Sequence, residues 1–106
     1  MRYFVYGEVT LKQQEWVKTY LSEINGFIEK HQGKVLSRSI NMEKVEGKRS
    51  LPTNVILVEF PNRECITNFF NDPEYQPIRQ LRLSGAFNEF TLFPAEDLAL
   101  QVTSTS

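Results

Sequence analysis

Five side chains in this sequence have a type and setting suited to binding or chemistry: His31, Arg38, Glu59, Tyr75 and Arg82. Arg38 shares one face of an alternating stretch with Leu36, Ile40 and Met42, and Glu59 interrupts the otherwise apolar run VILVEF. A buried guanidinium needs a carboxylate, so an Arg38–Glu59 pair is expected. That pair reads either as a structural bridge between strands or as an anion-binding arginine set in a cavity. In a cavity, Glu59 could take a proton from a carbon beside a carbonyl while an arginine stabilises the enolate. His31 is the one side chain whose ordinary titration falls near neutral pH. As a general base or haem ligand it would have to face a cavity, whereas at a helix C-terminus the dipole alone accounts for it. Tyr75, Arg79 and Arg82 fall within FFNDPEYQPIRQLR (69–82). Arg79 and Arg82 are neighbours on a helical turn, and beside a tyrosine they could clasp a small carboxylate. In the structural alternative Arg82 braces its helix against the sheet and Arg79 stays in water.

Other motifs are excluded. One histidine and one cysteine cannot supply a closed zinc site, and GKRS (47–50) lacks the glycine spacing of a phosphate loop. No Ser-His-Asp spacing, metal cluster or glycine-rich phosphate loop stands out in the sequence; no cofactor is expected and the reaction class stays open. Cys65 fits an apolar helix face as a small hydrophobe, and Trp16 and Tyr20 read as core. Twelve basic against thirteen acidic residues leave a net charge of −1, which argues against a nucleic-acid partner. No apolar run approaches the roughly 20 residues that span a bilayer. Met1 and Arg2 lead straight into YFVYGEV, so no signal peptide is expected. A single cysteine suits a reducing cytoplasm, where this chain is expected.

These side chains need elements to position them. YFVYGEV (3–9) is rich in aromatic and β-branched residues and reads as a strand. Thr10 with Gln13 fits a capping box that opens a helix, and Trp16, Tyr20, Ile24 and Phe27 form one row of its apolar stripe. His31 lies in its last turn, Gly33 is the expected left-handed stop, and Gly26 is expected to permit a close backbone contact. Residues 34–46 read as a second strand, GKRSLPT (47–53) as a hairpin loop and VILVEF (55–60) as a third strand. Asn62 caps a short helix. Asp72 and Pro73 start the next turn, and Pro77 divides the stretch into two short turns rather than one helix, with Ile78 and Leu81 the buried pair of the second, which Gly85 ends. FNEFTLF (87–93) is the fourth strand, and residues 96–106 form a tail, partly mobile or docked on a partner through Leu98, Leu100 and Val102.

The order β-α-β-β-α-β is the ferredoxin-like plan: an α+β fold with a four-stranded antiparallel sheet, here a single domain over residues 1–95. Its helices cover one face of the sheet, yet strands 55–60 and 87–93 carry large apolar side chains on both faces. The simplest cover is a second copy, so a homodimer with two sheets face to face is expected. GEVT (7–10), FIEKHQGKVLSR (27–38), VILVEFPNRE (55–64) and NDPEYQPIRQLR (71–82) resemble the uncharacterised family known as domain of unknown function 1330. The resemblance spans roughly residues 3–94 and implies a dimeric α+β barrel with no established reaction. The chain departs from that pattern at Gln32-Gly33, at Ser39 and in the hairpin GKRSLP. By analogy of fold, relatives of this barrel include cofactor-free oxygenases and isomerases. The expected function is a small-molecule pocket between sheet and helices, for a carboxylate or carbonyl compound. The alternatives are a non-enzymatic ligand-binding or protein-interaction dimer and, by the analogy of fold, a cofactor-free oxygenase or isomerase.

Overall fold

The computed structural model describes residues 1–99. Leu100 and Val102, expected to help dock the tail, lie outside them. The elements are β1 (Tyr3–Leu11), α1 (Val17–Lys30), β2 (Lys34–Ser39), β3 (Asn54–Phe60), α2 (Arg63–Phe70), α3 (Gln76–Gly85) and β4 (Ala86–Pro94). The sheet order is β2-β3-β1-β4 with every neighbour antiparallel, which is the ferredoxin-like arrangement.

Alternation along the central strands sorts the two faces. Val5, Val58 and Phe60 point to the helices and join Ile24, Ile28, Ile66, Phe69 and Tyr75 in the core. Phe4, Tyr6, Leu57, Phe87 and Phe93 fall on the other face. There the Phe4 and Phe93 rings meet across strands at 5.5 Å, and Phe87 is 64% exposed. The two-sided apolar pattern is thus real, and one side of it lies open on the isolated chain.

Several boundaries differ from the sequence reading. Thr10 is no helix cap: β1 runs on to Leu11 because Thr10 and Leu11 pair with Phe87 and Ala86. The chain is then tethered to the end of α3, whose Gly85 carbonyl accepts from the Lys12 and Gln13 amides and the Trp16 indole at 3.0, 3.2 and 3.1 Å. Only after this anchor does α1 begin. At its other end Gln32, not Gly33, takes the left-handed conformation (φ 66°). The Gln32 and Gly33 amides close onto the Glu29 and Ile28 carbonyls, a Schellman pattern. Gly33 is required for space instead, since a Cβ there would meet Ile28 and the Phe60 ring at 2.7 Å. Gly26 has nothing within 4 Å of such a Cβ, so the expected backbone contact is absent.

β2 stops at Ser39 rather than continuing to residue 46, and an irregularity between Val35 and Ser37 leaves Leu36 42% exposed. Asn62 caps α2 as expected, its side chain accepting from the Cys65 amide at 2.9 Å. Asp72 caps a turn as expected, accepting from the Glu74 amide, but the piece after it is a helix rather than a second short turn: α3 starts at Gln76 and accommodates Pro77 in its first turn. Ile78 and Leu81 are half-buried.

Gly85 supplies a direct test of the β1–α3 anchor. A Cβ at this buried position would stand 2.2 Å from Trp16 Nε1. Gly85→Ala is therefore expected to displace the indole and to cost about 1–3 kcal/mol in urea unfolding, the usual range for overpacking. An unchanged midpoint would mean the anchor is slack.

Candidate functional site

Between the inner face of the sheet and the helices lies a cavity of about 380 Å³. Its wall is aliphatic and aromatic, with Ile24, Ile28, Val58 and Phe60 among the lining residues. At one end three polar groups converge from different elements. Arg82 on α3 is 3% exposed and Tyr75, just ahead of that helix, is 1% exposed. Seven residues apart, they share one helix face. Tyr20 reaches in from α1. Arg82 Nε donates to the Tyr20 hydroxyl at 3.1 Å, and Nη2 donates to the Tyr75 hydroxyl at 3.4 Å. The two hydroxyls are 3.4 Å apart.

Two residues of β4 hold the arginine in place. Asn88 Nδ2 donates to the Arg82 and Ala86 carbonyls at 3.1 and 2.9 Å, which turns its Oδ1 towards Arg82 Nη1 at 2.7 Å. The Phe90 ring lies under the guanidinium, 4.2 Å from its centroid to Cζ. Phe90 can lie there because its cross-strand partner is Gly7, where a Cβ would sit 2.3 Å from the ring. Tyr75 is fixed by stacking on Phe69 at 4.7 Å.

Among the described residues Arg82 has no carboxylate partner, and the cavity lining includes no Asp, Glu, His or Cys. Burial opposes the charge on Arg82, but the neighbouring phenol oxygens outweigh it and its pKa is raised. Burial, reinforced by Tyr75, also pushes the Tyr20 phenol up, against the pull of Arg82. Tyr20 is thus a hydrogen-bond donor at neutral pH and a poor base. The cluster can receive an electron-rich oxygen, and among the described residues lining the cavity there is no carboxylate or imidazole to remove a proton from carbon.

Sequence comparison matches residues 2–95 to the family described as Domain of unknown function (DUF1330). This chain belongs to the DUF1330 family. No curated protein matches it. Solved structures of the same fold include a protein of unknown function from Rhodopseudomonas palustris, 16% identical with a TM-score of 0.75, over 91% of this chain and 84% of that one. Another is SnoaB, a cofactor-independent oxygenase from Streptomyces nogalater, at 11% identity, a TM-score of 0.67 and coverage of 91% and 94%. A third, from Jannaschia sp. CCS1, is described as a dimeric ferredoxin-like protein of unknown function, at 8% identity, a TM-score of 0.70 and coverage of 90% and 100%. At these identities the likeness is one of fold.

Within this DUF1330 chain the five sequence candidates separate. Tyr75, Arg82 and Arg38 line the cavity, Arg38 as an exposed side chain whose Nη2 donates to Asn25 Oδ1 at 2.8 Å. The expected Arg38–Glu59 pair does not form. Glu59 lies on the opposite face of β3 from Val58 and Phe60 and pairs with Arg2 at 2.7 Å, so it reaches no cavity and can act as no base there. Arg79 is not free in water either: it packs on Phe70, and its Nη1 donates to the Phe70 carbonyl at 3.3 Å. The residue the sequence reading missed is Tyr20. Its one signal was the hydroxyl, since a buried tyrosine needs a partner for it.

His31 is also absent from the cavity lining. Its Nε2 and Lys30 Nζ both lie 2.8 Å from Asp72 Oδ2, tying the end of α1 to the turn before α3. Among the described residues no cluster of His, Cys, Asp and Glu side chains could hold a metal ion. Lys30, then His31, holds the Asp72 carboxyl well below the usual carboxylate range, although burial works the other way. A carboxyl whose folded pKa is depressed contributes stability that is complete above its unfolded value and is lost as pH falls below it. The acid limb of the stability curve is therefore expected to steepen below roughly pH 4. Asp72→Asn should flatten that limb while lowering stability at pH 7, read by thermal melts from pH 2 to 7. An acid limb identical in the variant would disprove the assignment.

Proposed function

We propose that this chain is a ligand-binding protein whose cavity takes a small, mostly apolar molecule and fixes one electron-rich oxygen of it, carbonyl, carboxylate or enolate, between Arg82, Tyr20 and Tyr75. The observation that carries the reading is a guanidinium almost wholly removed from water, with neutral partners only and with its face on Phe90. Burying a charge without a counter-charge is costly, and a ligand oxygen is what such a group would complete. The volume falls within the range of small-molecule pockets. We further propose that two copies pair through the open sheet face, as the exposed aromatics there favour and as the description of the Jannaschia protein parallels. Among the described residues no helix is long and apolar enough to cross a membrane. A cytoplasmic location fits the free Cys65.

A catalytic reading has one observation in its favour. Donors preset around a future oxyanion are what an enolate-forming reaction needs, and SnoaB shares the fold. With no carboxylate or imidazole among the described residues that line the cavity, such a reaction would favour substrates that ionise readily by themselves. A thermal-shift screen of small acids, aldehydes, ketones and lactones, followed by oxygen-uptake and product assays on each hit, separates the readings. Stabilisation without turnover is the expected result. Turnover would favour catalysis, and a screen in which nothing shifts the melt would remove both.

A further inference from the structure

The cavity has a second polar end. Its lining passes from buried to exposed: Tyr75 and Arg82 are 1% and 3% exposed, Ile40 is 69% exposed, and Arg38 and Asn41 are exposed as well. With Leu21 of α1 also lining the cavity and 44% exposed, the mouth lies between α1 and the end of β2 with the start of the loop that follows. Arg38 stands at it, steadied by Asn25, and among the described residues it too has no carboxylate partner. The described lining thus carries two guanidinium groups and no acid, in a chain whose net charge is −1. The rest of the lining is mostly apolar, with Ser39, Asn41 and Asn54 as further polar residues.

From this arrangement we infer that the ligand is an acid with polar groups at both ends of an apolar body: an aryl or alicyclic oxo acid, its carbonyl oxygen at Arg82 and its carboxylate at Arg38. The inference deepens the cavity reading above and rests on it. The assignment of ends follows from solvation. A full carboxylate carried to the buried end would lose nearly all its water, whereas at the mouth it keeps part of its hydration and still meets a guanidinium. A carbonyl, with only partial charge, loses less on burial, and its acceptor lone pairs suit the donors of Arg82, Tyr20 and Tyr75.

The test is calorimetric titration of the full chain, at low salt, with phenyl-substituted oxo acids of increasing chain length and with the methyl ester of each. At least one acid is expected to bind, and its ester to bind about fivefold more weakly, since a solvated rim charge contributes modestly. Arg38→Gln should weaken the acid by more than the ester and so close most of the acid–ester gap, which added salt should also narrow. Arg82→Met should weaken acid and ester alike. Equal binding of acid and ester, or an acid–ester ratio that survives Arg38→Gln, overturns the two-ended ligand and leaves the cavity reading standing. Failure of every acid and ester to bind, or binding indifferent to Arg82→Met, overturns both.

Discussion

Arg82→Met is expected to weaken ligand binding in the cavity by about 10- to 100-fold while leaving the protein folded and within about 2 kcal/mol of the parent stability. The loss follows from the worth of a hydrogen bond to a charged donor, roughly 1.5–3 kcal/mol once the site is desolvated. The small change in stability follows from what surrounds the guanidinium. Its partners are two tyrosine hydroxyls, one amide oxygen and an aromatic face, all of them neutral. Methionine fills a similar space with a flexible apolar chain, removes a buried charge, and leaves the two hydroxyls near enough to bond to each other. The one acceptor left short is Asn88 Oδ1, at a cost of about 1–2 kcal/mol that the relief of desolvation offsets. If Arg82 were mainly a brace between α3 and the sheet, the same change would cost about 3–5 kcal/mol, as breaking a buried charged network does. Urea unfolding decides between them, and a thermal-shift series with a bound ligand reads the affinity. Arg82→Ala serves as the control for lost packing and should destabilise more than Arg82→Met.

The contrast between Arg82 and Glu59 shows what the sequence could and could not carry. Element order, the antiparallel sheet and two-sided apolar strands were legible because alternation and helical spacing are local. Tyr75 and Arg82, which line the cavity, stood out because a tyrosine and two arginines crowd into one short stretch. The partner of Arg38 was not. A strand pairing error of one residue sends a side chain to the other face, and the irregularity after Val35 cannot be seen in the letters. Glu59 sits beside apolar neighbours that face the core, yet its own side chain points to the opposite side and meets Arg2, which is 57 residues away in sequence. Tyr20 shows the converse difficulty. Four residues after Trp16 it fits an apolar stripe, and only the fold reveals that its hydroxyl meets Arg82, 62 residues on. Helix starts misled for a related reason: Thr10 has the chemistry of a cap, but pairing of β1 with β4 out to Ala86 outweighs that local preference.

Leu57→Glu is expected to convert the proposed dimer to a monomer across the micromolar range. Leu57 lies on the open face beside Tyr6, its cross-strand partner, near the middle of the sheet. Burying a leucine against a partner contributes about 1.5–3 kcal/mol, and a two-fold interface contains the substitution twice. The new carboxylates would also face a surface that already sets Glu8 opposite Glu89 across β1 and β4. Together these effects should raise the dissociation constant by about two orders of magnitude or more. On the isolated chain the residue is only half-buried, so the fold should survive, as a circular dichroism spectrum and a single unfolding transition would report. Sedimentation velocity supplies the decisive measurement. The parent chain should sediment as a dimer at tens of micromolar and the variant as a monomer. A parent that sediments as a monomer at those concentrations would overturn the proposed dimer.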